Sequence, residues 1–357
     1  MSLFKDVLGG EESLFKNEVA LSYDYIPKLI PYREMQQRQI AACIRPLFQD
    51  RNGKNILVYG QPGVGKTVAC THIIQDIEEE TDEVLPIYIN CWQKNTSFKI
   101  ILEICGSLGY KFTQNKRTEE LLKVIKQILT KKKAVFFFDE VDKVDDFDFL
   151  YYILEEVYRK SIVLITNYRE WLIDLEDRIK SRLTPETLEF LPYNKNETCG
   201  ILKQRVEYAF VPNIWEDGAF QIIAEKTYEL QDIRQGLYLL KEAGDIAEGK
   251  SLRKINAECA KEAISKLDKF CIKDSEGLDS EAKFILKIVQ DNKEKKIGDL
   301  FKIYQKEGGN LVYKSFQRKI KKLEENKFIS VTKINGGKEG KTSIIEPYDS
   351  TKKLSDF

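Results

Sequence analysis

Histidine is nearly absent from this chain: His72 is the only one in 357 residues, which argues against His-based catalytic triads and His-rich metal sites. Cysteine is sparse and without pattern. The seven residues Cys43, Cys70, Cys91, Cys105, Cys199, Cys259 and Cys271 are odd in number, scattered, and contain no C-x-x-C pair. Neither a disulfide framework nor a zinc site is indicated, and they read as reduced core residues. Charge of one sign is not in excess either, since 57 basic residues balance 57 acidic ones. A chain-wide basic field for nucleic acid is therefore excluded, and any DNA-binding face must be local. Long apolar runs are missing. Stretches such as Ala134 to Phe138 fall far short of the roughly 20 residues of a membrane span. Met1-Ser2-Leu3-Phe4-Lys5-Asp6 has no signal-type apolar core. The expectation is a soluble, cytoplasmic protein with no membrane partner, whose chemistry runs on carboxylates, Lys, Arg and backbone amides.

What is present is ample core: 42% of the residues are apolar, enough at roughly 100 to 200 residues per domain for two or three domains. Between residues 55 and 190 short runs rich in Val, Ile, Phe and Tyr alternate with helix-length amphipathic stretches. The runs are Asn55 to Tyr59, Leu85 to Asn90, Ala134 to Asp139, Ile162 to Asn167 and Thr187 to Phe190. This pattern predicts an α/β fold with a parallel sheet covered on both faces. After Pro192 the strand signal stops, and residues 195 to 272 carry helical periodicity, as in Phe220, Ile223 and Ala224, then Leu237, Leu240 and Ala243. The polar stretch Lys273-Asp274-Ser275-Glu276-Gly277 reads as a boundary. The expected divisions are an arm over 1–22, a base over 23–192, a helical lid over 193–274 and a last domain over 278–357.

Gly60-Gln61-Pro62-Gly63-Val64-Gly65-Lys66-Thr67 satisfies G-x-x-x-x-G-K-[ST], follows a predicted strand and precedes a helix predicted from Val68. Glycines let the backbone curl its N–H groups around phosphate oxygens, Lys66 reaches the β and γ phosphates, and the Thr67 hydroxyl reaches Mg²⁺. The ligand expected is ATP or ADP. Asp139 and Glu140 end the strand that begins at Ala134, so they come to the same sheet edge. Asp139 would serve the metal and Glu140 the attacking water; the plainer alternative is two solvated acids capping a strand. Asn167 ends another strand and would touch the γ-phosphate or the water, although a strand-end Asn is also an ordinary turn residue.

At these motifs the sequence resembles the AAA+ ATPases, and among them the archaeal replication initiators related to the origin recognition complex subunit one and the cell-division-cycle loader six. Asp139-Glu140-Val141-Asp142 resembles their Walker B. Tyr25-Ile26-Pro27 and Ile30-Pro31-Tyr32-Arg33-Glu34 resemble an N-terminal box that wraps the adenine, which implies Arg33 in the nucleotide site. Asn90 and Thr96 to Ile101 resemble the start of a DNA-touching insertion, with Trp92 where a basic residue would be expected. Leu191-Pro192-Tyr193 and Arg205 resemble the base-to-lid box, implying Tyr193 and Arg205 at the nucleotide. Asp232 to Gly244 resembles the sensor 2 helix, with Arg234 as the sensor, and departs from it at Gln231 and Gly236. Asp177 to Leu183 resembles the box of the arginine finger, implying Arg178 and Arg182; the plainer alternative is two surface arginines paired with Glu176 or Asp177.

Charge is segregated along the chain. Residues 278–357 hold 18 Lys and Arg against 12 Asp and Glu, a net +6, which leaves the preceding part at −6 because the whole is neutral. Helices are expected over 280–291, 297–307 and 312–325, then a hairpin near Asn335 to Gly340. Phe316, Ile320 and Leu323 recur at helical spacing and face inward, which puts Lys314, Gln317, Arg318 and Lys321 outward, with Ser315 beside them. With Lys338 and Lys341 at the hairpin tip, the order is that of a winged helix-turn-helix on DNA; a solvated Lys-rich surface is the alternative. The resemblance implies a slow ATPase acting as a switch. Its implied partners are duplex origin DNA, paralogous initiator subunits and the replicative helicase. The rival reading is a STAND-type signalling or defence ATPase whose winged helix does not bind DNA.

Overall fold

The computed structural model describes residues 13–276, 280–292, 295–325, 329–336 and 340–347. They form two compact units, Met1–Asn256 and Ala257–Phe357.

In the first unit each expected strand forms: β1 (Ile56–Tyr59), β2 (Val84–Asn90), β3 (Lys133–Asp139), β4 (Lys160–Thr166) and β5 (Glu186–Glu189). They pair in the order β2-β3-β4-β1-β5, parallel throughout. Such a sheet needs crossover connections and cover on both faces. These come from α1 (Glu34–Ile44), α2 (Lys66–Glu80), α3 (Ser97–Ser107), α4 (Thr118–Leu129), α5 (Asp148–Glu156), α6 (Trp171–Asp174) and α7 (Asp177–Leu183). Successive side chains of a strand point to opposite faces, so β3 feeds two cores. Phe136 and Phe138 join Leu57, Ile89 and Leu164 in one, while Val135 and Phe137 join Val58 and Ile165 in the other. Phe136, Phe137 and Phe138 are wholly buried, and truncating any of them to Ala would cost ~3–5 kcal/mol.

Helices α8 (Lys195–Ala209), α9 (Asp217–Leu230) and α10 (Ile233–Gly249) follow. Asn194 and Glu197 close a capping box at the start of α8. The two departures from the sensor 2 pattern have structural meaning. Gln231 ends α9 at φ 52, a left-handed conformation that costs a side chain about 1 kcal/mol and that Gly adopts freely. Gly236 is less a weakness than its helix propensity suggests, because a methyl group there would lie 2.6 Å from Thr227 and 2.9 Å from Leu202. The absent side chain lets α10 approach its neighbours. The arm docks on these helices: Lys16 N–H donates to Ala209 O (2.8 Å), Val211 N–H to Leu14 O (3.0 Å) and Leu14 N–H to Glu248 (2.7 Å). Phe15 stacks on Phe210.

The second unit contains α11 (Ala257–Glu276), α12 (Ser280–Asp291), β6 (Lys295–Lys296), α13 (Ile297–Lys306), α14 (Tyr313–Glu325), β7 (Ile329–Gly336) and β8 (Gly340–Pro347). The polar stretch taken as a boundary is helical through Glu276: Lys, Asp, Ser and Glu are tolerated in a helix, so polarity alone did not end it. The strands form an antiparallel sheet, β6-β8-β7, of which β6 carries no sequence signal because it is only two lysines. Phe316, Ile320 and Leu323 are buried with Leu300 and Tyr304, and Lys314, Gln317, Arg318 and Lys321 are exposed, with Ser315 half-buried. Lys341 lies on β8, whereas Lys338 lies outside the described residues. Among the described residues no helix is long and apolar enough to cross a membrane.

Candidate active site

Parallel strands deliver their carboxyl ends to one edge, and there β1 runs into Gly60, β3 into Glu140 and β4 into Asn167. Gly63 and Gly65 adopt φ 79 and φ 87, the left-handed region that glycine reaches without strain. Helix α2 starts at Lys66, two residues earlier than predicted, which sets Lys66 and Thr67 in the first turn, where backbone N–H groups lack helical partners. Lys66 is buried. Its Nζ donates to Gly60 O (2.7 Å), Gln61 O (2.9 Å) and Asn167 Oδ1 (3.0 Å). Burial pushes the ammonium down to about 8, against the opposing pull of Asp139. The cation is thus desolvated in advance and held by neutral oxygens that a phosphate can replace.

Asp139 is buried at the end of β3. Its Oδ2 accepts from the Thr67 hydroxyl (2.7 Å) and from the Tyr88 hydroxyl (2.9 Å), and its Oδ1 from the Glu140 N–H (2.9 Å). Because Thr67 spends its proton on Asp139, the hydroxyl keeps lone pairs for another partner. Hydroxyl plus carboxylate is a hard-oxygen set that fits Mg²⁺. Glu140 sits at φ 52, and its carboxyl is pushed up first by burial, then by Asp139 and Asp142. Strain in a non-glycine residue and a displaced carboxyl titration coincide at a residue expected to handle water. Tyr88 was missed in the sequence. Its signal was positional: Asn90 pairs in register with Asp139, so the residue two before Asn90 shares the face of that acid.

A cavity of about 320 Å³ opens in front of these groups, a size suited to a small ligand. Its phosphate-loop side includes Pro62, Gly63, Gly65, Lys66 and Thr67, with Asp139, Glu140, Asn167 and Arg234. The lining also includes apolar Pro27, Ile30, Pro31, Ile201 and Leu237. Tyr193 and Arg205 also line it. Arg205 is buried; it donates to Ala20 O (3.1 Å) and Tyr25 O (3.4 Å) and lies over the Tyr25 ring, tying arm to lid. Arg33 is not in the wall. Its guanidinium donates to Val64 O (3.1 Å) and Leu191 O (2.6 Å) and stacks 3.8 Å from the Tyr193 ring centre. Its place is behind the loop, bracing Val64 against Tyr193.

Arg234 enters the cleft from the first turn of α10, paired with Asp232 (2.8 Å). The two α7 arginines lie elsewhere. Arg178 pairs with Glu176 (2.5 Å) and Asp148 (3.0 Å), Arg182 pairs with Glu155 (2.5 Å), and both lie over the Tyr151 ring. The ion-pair expectation holds for Arg178 with Glu176, while Arg182 takes a partner from α5. Trp92 is exposed, with the Lys143 ammonium 5.5 Å from its ring centre.

Residues 49–170 match the AAA domain family, and residues 199–265 match the Cdc6 AAA+ ATPase-type lid domain. Over 98% of its length the chain is 26% identical to ORC1-type DNA replication protein 2 of Methanothermobacter thermautotrophicus, covering 96% of that protein. It is 29% identical to ORC1-type DNA replication protein 2 of Methanosarcina acetivorans, over 96% of this chain and 95% of the relative. The ORC1 protein of Aeropyrum pernix, solved in complex with DNA, shares the fold with a TM-score of 0.74 at 24% identity over 95% of each chain. An AAA domain alone would leave many relatives open; here it is joined to a lid domain of the Cdc6 AAA+ ATPase type, and the similarity along nearly the whole chain is to ORC1-type DNA replication proteins.

Proposed function

We propose that the protein is a DNA replication initiator that binds origin duplex DNA, hydrolyses ATP slowly as a switch, and helps to load the replicative helicase. The observation that carries the ATPase part is the joined set Lys66–Asn167 and Thr67–Asp139–Tyr88 facing Arg234 across one cleft. Lys66 exchanges its carbonyl partners for β and γ phosphate oxygens, and the N–H groups of Gly63 to Thr67 surround the same phosphates. Thr67 and Asp139 hold Mg²⁺, which when bound neutralises charge on the phosphate oxygens. Glu140 orients the attacking water, Asn167 reports the γ-phosphate through its bond to Lys66, and Arg234 meets the phosphates from the lid. Arg182, with Arg178 beside it, completes the site of a neighbouring initiator subunit, leaving its pair with Glu155 to do so; an exposed pair of this kind is worth only ~0–1 kcal/mol.

On this reading residues 23–192 are the ATPase base, 193–274 the lid and 278–357 a winged-helix DNA reader, with 1–22 an arm. Helix α14 enters the major groove, Gln317 and Arg318 read base edges, and Lys314, Ser315 and Lys321 hold the backbone with Lys338 and Lys341 of the wing. The AAA+ base adds a second contact to the duplex. The Cdc6-type lid supports this over a signalling ATPase. The test is a pair of measurements on the full chain. Glu140→Gln should bind Mg-ATP as the wild type does and fail to hydrolyse it, and the wild type should prefer its origin duplex over random duplex. Hydrolysis that survives in Glu140→Gln would overturn the site assignment; absence of duplex binding even at low salt would overturn the initiator reading.

A further inference from the structure

Asp232 stands beside the proposed reaction without a part in it. As the N-cap of α10 its Oδ1 accepts the Arg234 N–H (2.9 Å), the ordinary service of a capping carboxylate. The same carboxylate also takes the Arg234 guanidinium in bidentate fashion, Oδ1 from Nε (3.1 Å) and Oδ2 from Nη2 (2.8 Å). The acid is the more sheltered partner, with 17% of its side chain exposed against 52% for the arginine. It also lies directly on the phosphate loop. A methyl group built on Gly63 would run into Asp232 Oδ1 and Cγ, and the neighbouring Ile233 N–H donates to Gly63 O (3.4 Å). The cation that faces the phosphates from the lid is therefore held by a carboxylate seated against the loop that curls around them.

Resting on the reading of this cleft as the ATP site, we propose that Asp232 competes with the γ-phosphate for Arg234 and so limits how strongly the site prefers a nucleoside triphosphate to a diphosphate. A ligand shifts such an equilibrium only by its differential interaction with the two states. The γ-phosphate has oxygens to offer Arg234 and must draw it from Asp232, so part of that attraction is spent on breaking the pair. A diphosphate lacks those oxygens and leaves the pair as it is. Direct repulsion between the Asp232 carboxylate and the phosphates nearest Gly63 acts on both nucleotides, and largely cancels in their ratio.

Asp232→Asn in the full chain keeps an N-cap acceptor and removes the charge. Dissociation constants for ADP and for a slowly hydrolysed ATP analogue, both with Mg²⁺, should shift in ratio toward the triphosphate by roughly twofold to fivefold, the range of a partly exposed ion pair. The shift should vanish when Arg234→Ala is also present, since the two residues act through one interaction. Asp232→Ser, a second uncharged cap, should reproduce it if the Asn variant folds poorly. An unchanged ratio in both variants, or an equal shift without Arg234, overturns the proposal while leaving the site reading intact. A wild type that binds neither nucleotide overturns the site reading, and this proposal with it.

Discussion

The cleft of the first unit and the outer face of α14 both present positive charge, and they hold it in opposite ways. In the cleft Lys66 is buried and bonded to three oxygens, and Asp139 beside it accepts in turn from Thr67 and Tyr88. On α14, Lys314, Gln317 and Arg318 are exposed on a helix anchored by buried Phe316, Ile320 and Leu323. A desolvated site concentrates a large free energy in few groups and escapes screening by salt. A solvated face spreads a smaller one over many groups, and its strength follows ionic strength. Each region suits a different polyanion: one compact and chelated, the other long and tracked along its backbone.

The sharpest way to break this contrast is Lys66→Ala, which should weaken ATP on the order of 100-fold or more, as expected when one partner of a buried charge contact is lost. Titration of a fluorescent ATP analogue measures it, and equal affinities would mean that the buried ammonium carries nothing. Next in size, Gln317→Ala and Arg318→Ala should each reduce discrimination between origin and random duplex by ~1–3 kcal/mol. Lys314→Ala should weaken all duplexes alike and lower the salt slope by about one. If Gln317 and Arg318 also act uniformly, α14 is only a charged surface.

A third test sharpens the contrast through pH. Lys66 is depressed to about 8 in the free protein, and a phosphate partner raises it again. Binding energy from the ammonium is therefore fully present below pH 8 and is lost as pH rises through 8, by up to about tenfold in affinity per unit. Calorimetry in buffers of different ionisation enthalpy should show proton uptake on binding at pH 8.5; none would mean that Lys66 is already fully charged there. The smallest expected effect is Tyr88→Phe, which removes one donor from Asp139 Oδ2. Mg-dependent nucleotide binding should weaken by about 1 kcal/mol, the net worth of one hydrogen bond, and the Mg²⁺ concentration for half-maximal binding should rise.

The sheet and the phosphate loop were legible because both are local in sequence. A run such as Ala134 to Phe138 has few options other than a buried strand, and the loop's glycines, lysine and threonine are contiguous. The α14 face was legible for the same reason, through the 3.6-residue period of Phe316, Ile320 and Leu323. What stayed hidden depends on segments far apart in the chain. Arg33 was expected at the nucleotide and instead braces Val64 and Leu191, because the path of residues 25 to 34 is set by the lid it meets. Tyr88 needed the β2–β3 register, and the seat of Asp232 on Gly63 needed the lid placed against the loop. Polarity misled at residues 273 to 276, where a solvated helix and a linker look alike.

The junction of arm, loop and lid has a consequence for how the molecule is made. The phosphate loop and the segment carrying Tyr23, Pro27 and Ile30 leave the ribosome early, but Ile201, Arg205, Arg234 and Leu237, which complete the cavity wall, are encoded about 135 to 175 residues after the loop. At roughly 5 to 20 residues per second this delay is on the order of 10 to 30 s. Throughout it the nascent chain has a phosphate cradle with one wall, and Leu14, Phe15 and Lys16 have no Ala209, Phe210 or Glu248 to dock on. Full enclosure of a ligand in this cavity is thereby deferred until the lid has been synthesised.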